Sequence, residues 1–216
     1  MFFLRSLVIA LLACLLTPLR AMEFEPRTAE GYLHRGLLWV ELENFEQAQA
    51  AFERAAQLDQ RNAVAFSMLG SMQLQQQQHD SAIRSFGRAL AIDATLASAW
   101  RGRGAAWLGQ RDAERALADL NRAIVLDAGD AAAFDNRGIA HTRLKQFDQA
   151  VADFDRALAI EPRNVLAWFN RGALLEALNQ LDAAIESYDQ ALMLAPDFEA
   201  ALQRRGLVAQ RRQVKR

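Results

Sequence analysis

The chain of 216 residues has one cysteine, four prolines, three histidines and two lysines beside its many arginines. With Cys14 alone, no internal disulfide framework and no thiolate metal centre can be built. Scarce proline leaves long stretches free of the residue that breaks helices. His34, His79 and His141 are scattered, and none has a Cys or carboxylate partner at metal-ligand spacing. G-x-S-x-G, H-E-x-x-H and the phosphate-binding glycine loop are all missing. The sequence therefore predicts no enzyme, no metal, no cofactor and no small-molecule substrate. Charge of one sign is lacking too, since the formal net charge is −1. The longest apolar run, near the amino end, falls short of the roughly 20 residues that span a bilayer.

What is present is a ruler. Six of the 11 glycines (Gly36, Gly70, Gly104, Gly138, Gly172 and Gly206) stand 34 residues apart. Four residues before them come Tyr32, Phe66, Trp100, Phe134, Trp168 and Leu202. Twelve after the first five come Ala48, Ala82, Ala116, Ala150 and Ala184, and four further on Phe52, Phe86, Leu120, Phe154 and Tyr188. Spacings of three, four and seven put these residues on one helix face. Each copy reads as two antiparallel helices joined by a short turn near Glu43, Gln77, Arg111, Lys145 and Asn179. Thr28, Asn62, Thr95, Asp130, Asn164 and Asp197 stand where N-caps are expected. Glu46, Asp80, Glu114, Asp148 and Asp182 fall in the first turn of each second helix, and Arg54, Arg88, Arg122 and Arg156 are assigned to its last turn. Arg103 and Asp119, and Arg137 and Asp153, lie sixteen apart and are expected to pair across the hairpin as scaffold contacts, worth about 0–1 kcal/mol if exposed. Asp153 and Asp155, two apart, are expected to be solvated rather than a catalytic pair.

This pattern resembles the tetratricopeptide repeat. The resemblance covers five copies, at 29–62, 63–96, 97–130, 131–164 and 165–198, with a capping helix over 199–216. It departs from the family pattern in carrying a closing proline only at Pro162 and Pro196. The fold it implies is all-α, a right-handed superhelical solenoid of antiparallel helix pairs and one array rather than two domains. A single copy cannot bury its own apolar face, so neighbours must stack.

Both ends depart from the array. Residues 1–21 have an early Arg5, an apolar run from Leu7 to Leu16, and Thr17-Pro18-Leu19-Arg20-Ala21 after it. That is the layout of a secretory signal peptide cleaved after Ala21, which predicts export to a periplasm; residues 22–28 form a short lead. Leu11-Leu12-Ala13-Cys14 offers the alternative of a lipidated Cys14, and a start at Met22 the alternative of a cytoplasmic protein. The preponderance of arginine over lysine points to a GC-rich bacterial genome. At the other end, Arg204, Arg205, Arg211, Arg212, Lys215 and Arg216 face only Glu199. The tail reads either as the polar outer face of a cap or as a basic patch for anionic lipid or nucleic acid. With no aromatic interleaving, nucleic acid is not expected. Membrane contact is restricted to the two termini.

The resemblance implies that first helices line a groove that takes a protein or peptide. Carried onto this chain, the groove presents Leu33, Leu37 and Val40, then Val64, Ser67, Ser71 and Leu74. Next come Ser98, Arg101, Ala105 and Leu108, then Asp135, Ile139 and Thr142, and last Leu166, Phe169, Ala173 and Glu176. Phe169, off the repeating slots, reads either as an exposed anchor or as packing against the neighbouring copy, and Arg101 is the candidate for a carboxylate or carbonyl. The family's two-carboxylate clamp of Lys, Asn, Asn, Lys and Arg meets Arg101, Ala105, Asn136, Leu166 and Asn170 here. Three positions fail, so an acidic chaperone tail is excluded as ligand and an extended segment with apolar anchors is expected.

Overall fold

The computed structural model describes residues 25–214, which hold eleven α-helices and no strand. The signal segment with Cys14 and Met22, and the tail residues Lys215 and Arg216, lie outside the described residues. The chain divides into two compact units between Ala94 and Thr95. The first holds α1 (Ala29–Glu41), α2 (Phe45–Leu58), α3 (Ala63–Gln75) and α4 (His79–Ile92). The second holds α5 (Ala97–Gly109), α6 (Ala113–Leu126), α7 (Ala131–Arg143), α8 (Phe147–Ile160), α9 (Val165–Ala177), α10 (Leu181–Leu194) and α11 (Glu199–Val214).

Capping sets where the first helices begin. Thr28, Asn62, Asp130 and Asn164 each accept the N–H three residues on. Thr95 is not the cap expected of it. Helix α5 starts one residue too late, behind Leu96, which has no side-chain acceptor. Asp197 is likewise one residue early, since α11 starts at Glu199. Asn44 and Asp112 cap second helices in the same way as the first-helix caps. Every hairpin closes alike. The Glu43 N–H donates to the Val40 carbonyl, and the Asn44 N–H to that of Trp39. This double closure needs a left-handed residue, supplied by Glu43, Gln77, Arg111, Lys145 and Asn179 at φ 55, 60, 64, 60 and 60°.

The ruler glycines are seats for the residue sixteen further on. A Cβ on Gly138 would fall 2.8 Å from the Phe154 ring, and one on Gly172 2.8 Å from the Tyr188 ring. Those rings, with Phe52, Phe86 and Leu120, are almost fully buried. Each such burial contributes about 1.5–3 kcal/mol. Gly206 has nothing within 4 Å, because α11 has no second helix to receive.

Several charges are structural, beginning with the two pairs sixteen residues apart. Arg103 grips Asp119 through two bonds, Nε to Oδ2 at 2.7 Å and Nη2 to Oδ1 at 2.8 Å, and Arg137 grips Asp153 similarly. These pairs are not exposed: Asp119 and Asp153 are buried. Nor is Asp155 merely solvated, since it accepts from Arg171 Nε at 2.7 Å. Second helices end four residues beyond Arg54, Arg88, Arg122 and Arg156, so none of these lies in a last turn. Arg88 instead stacks over Phe66, 4.2 Å from the ring centre.

Candidate functional site

In the second unit the first helices form a continuous row. Helix α5 packs on α7, α7 on α9 and α9 on α11, while successive second helices make no comparable contact. The row is thus the closely spaced layer of that unit, and its outward residues make the candidate groove.

Along it, polar side chains one repeat apart reach across neighbouring first helices at an offset of 35. Arg143 donates to the Leu108 carbonyl, Asn170 to Asp135, and Arg211 to Glu176. Between α7 and α9 lies a pocket of about 250 Å³ lined by Ile139, Thr142, Arg143, Phe154, Asn170, Ala173, Leu174 and Ala177. Asp135 sits beside it, tied through the Asn170 Nδ2, which is 3.2 and 3.3 Å from its two oxygens. Burial raises the Asp135 pKa above the ordinary aspartate value, and the Asn170 bond lowers it only in part.

The expected groove residues separate. Leu166 is exposed at 61 %, Ile139 lines the pocket, and Asp135 is beside it. Arg101 is on the row, but its Nε lies 2.7 Å from Asp130 Oδ2, an ionic contact without hydrogen-bond geometry. In the first unit Leu37 and Val64 are exposed, and Leu33 and Val40 pack partly into the Phe52 core. Leu74 is half-buried.

Four residues are not presented as expected. Ser67 and Leu108 are buried, Leu108 within the Leu120 core. Phe169 is not a free anchor. Its ring packs against Tyr188 at 5.7 Å and Phe198 at 5.0 Å, because the cap brings Phe198 over it. Glu176 is buried and takes hydrogen bonds from the Tyr188 hydroxyl at 2.9 Å and from Arg204 and Arg211 at 3.2 Å. Burial of the Tyr188 hydroxyl pushes its pKa upward, and its hydrogen bond to Glu176 and that carboxylate's charge add to the shift.

The described part of the basic tail is committed as well. Arg204 and Arg211 hold Glu176, Arg205 pairs with Asp189 at 2.9 Å and Arg212 with Asp182 at 2.5 Å. These arginines fasten α11 to α9 and α10. Arg143 was missed as a groove residue, and Asn170 was weighed only at a clamp position. The offset of 35 between Asp135 and Asn170 is the sequence signal that places them side by side.

Among the described residues no cluster of three or more His, Cys, Asp and Glu is placed to hold a metal ion, and no helix is long and apolar enough to cross a membrane.

Profiles of the tetratricopeptide repeat match residues 33–97, 73–132, 131–164 and 165–198. The chain belongs to the tetratricopeptide repeat family, whose fold is a scaffold for protein–protein interaction. No curated protein matches it in sequence. Among solved structures it is similar to TTC0263 of Thermus thermophilus, a thermophilic TPR protein, at 22 % identity and a TM-score of 0.70, over 84 % of this chain and 99 % of that one. It is similar to pilF of Pseudomonas aeruginosa at 21 % and 0.74, over 86 % and 84 %. It is also similar to YrrB, described as a TPR protein with an unusual peptide-binding site, at 23 % and 0.63, over 87 % and 96 %.

Proposed function

We propose that the chain is a non-catalytic scaffold that binds an extended partner segment on the first-helix row of its second unit, and that it works outside the cytoplasm. The observation that carries the binding reading is the apolar pocket between α7 and α9. Its neighbours on the row, Arg101 and Glu176, already have intramolecular charge partners. An apolar partner side chain therefore gains most by entering there. The peptide-binding site that names YrrB supports the same reading. A bulky Ala173→Trp fills the pocket. It is expected to abolish binding of peptides that the wild type selects from a random library, with the helical circular dichroism unchanged; retained binding overturns the site.

The location rests on the apolar run Leu7–Leu16 and the Pro18–Ala21 segment after it. An alkaline phosphatase reporter, active only outside the cytoplasm, fused to the carboxyl end is expected to be active with residues 1–21 and inactive without them. Equal activity in both forms contradicts export, and a fatty-acylated Cys14 by mass spectrometry would replace cleavage with lipid anchoring.

A further inference from the structure

Among the described residues, Asp135 is a half-buried acid of the first-helix row whose charge meets no cation. Around it the arginines are already engaged: Arg101 with Asp130, Arg103 with Asp119, Arg137 with Asp153, and Arg171 with Asp155. Glu176, the other acid on α7 and α9, has two arginines. Asp135 has one amide nitrogen shared between both oxygens. A carboxylate offers about four acceptor sites, and one NH2 fills at most two. Arg143, the other arginine on α7, is eight residues away, about 12 Å along the axis, and its guanidinium is directed to the Leu108 carbonyl.

Building on the groove reading above, we propose that this row selects a segment with a lysine or arginine next to its apolar anchor, the cation seated on Asp135 and the anchor in the Ile139–Ala173 pocket. The link between the two subsites is Asn170, which lines the pocket and holds the carboxylate. Folding has already removed part of the water from half-buried Asp135, so an arriving cation faces a carboxylate with less left to desolvate. An acidic segment is repelled at the same point. Asp135 is also kept at a cost to the fold, since burial disfavours its charged form and no cation offsets this.

A displayed library of random heptapeptides is the probe. Selection on the wild type is expected to enrich Lys or Arg within three positions of Leu, Ile, Met or Phe. For the resulting consensus peptide, Asp135→Asn is expected to weaken binding about tenfold or more and to flatten its salt dependence. Asp135→Lys is expected to move the selection toward Asp and Glu. Apolar enrichment without basic residues, or unchanged affinity for Asp135→Asn, overturns this proposal and leaves the groove reading standing. Unchanged binding by Ala173→Trp overturns both. A dimer by light scattering with no enriched peptide would place a second copy on the row and also overturn it.

Discussion

Gly138 and Gly206 hold the same register and do opposite things, because one faces a ring and the other faces open space. Gly138→Ala is expected to push on Phe154 and cost about 1–3 kcal/mol. Gly206→Ala, with nothing in its way, is expected to gain up to about 1 kcal/mol from helix propensity. Urea unfolding of the two variants checks this, and equal effects would refute the seat assigned to the ruler. Asp135 carries a pH signature. Its pKa is raised on folding, so its contribution to stability is fully present below the unfolded value and is lost as pH rises through the folded one. Asp135→Asn should therefore stabilise the protein at pH 7, with the gain shrinking to nothing below about pH 3.5. Denaturant midpoints against pH measure it. Legibility differed sharply between such residues. The glycine seats were readable from spacing alone, since contact within a helix pair recurs sixteen residues on. Phe169 was not, because the cap that brings Phe198 over it is outside the repeating pattern.

The hairpins rely on five left-handed residues, none of them glycine. For an ordinary side chain that conformation costs about 1–2 kcal/mol, and asparagine tolerates it better. Lys145→Gly is expected to raise stability by about 0.5–1 kcal/mol, and Asn179→Gly by less. Thermal unfolding of the two variants tests the order, and a reversed order contradicts the strain account. Helix existence was plain from the 3.6-residue periodicity. Helix starts were less so: Thr95 and Asp197 looked like caps, yet the 34-residue register begins α5 and α11 one residue further on. Lateral contacts between first helices follow an offset of 35, which composition hides and only the repeat register exposes.

Stability in stacked repeats is local, each copy leaning on its neighbours. Helix α11 supplies the fully buried Val208 and the two arginines on Glu176. Removing 199–216 is expected to lower amide-exchange protection in α9 and α10, which α11 touches, more than in α1 and α2. Uniform loss would deny α11 the role of a cap. The tail's charge count shows six cations, and only the fold shows the acids opposite the described four. The proposed function requires the first-helix row of the second unit to be the binding face. Backbone amide shifts recorded while a selected peptide is titrated into the wild-type protein test that most directly. The largest changes are expected at Ile139, Asn170, Ala173 and Leu174; changes confined to the outer faces of α6 and α8, around Val125, Ala152 and Asp155, would contradict it.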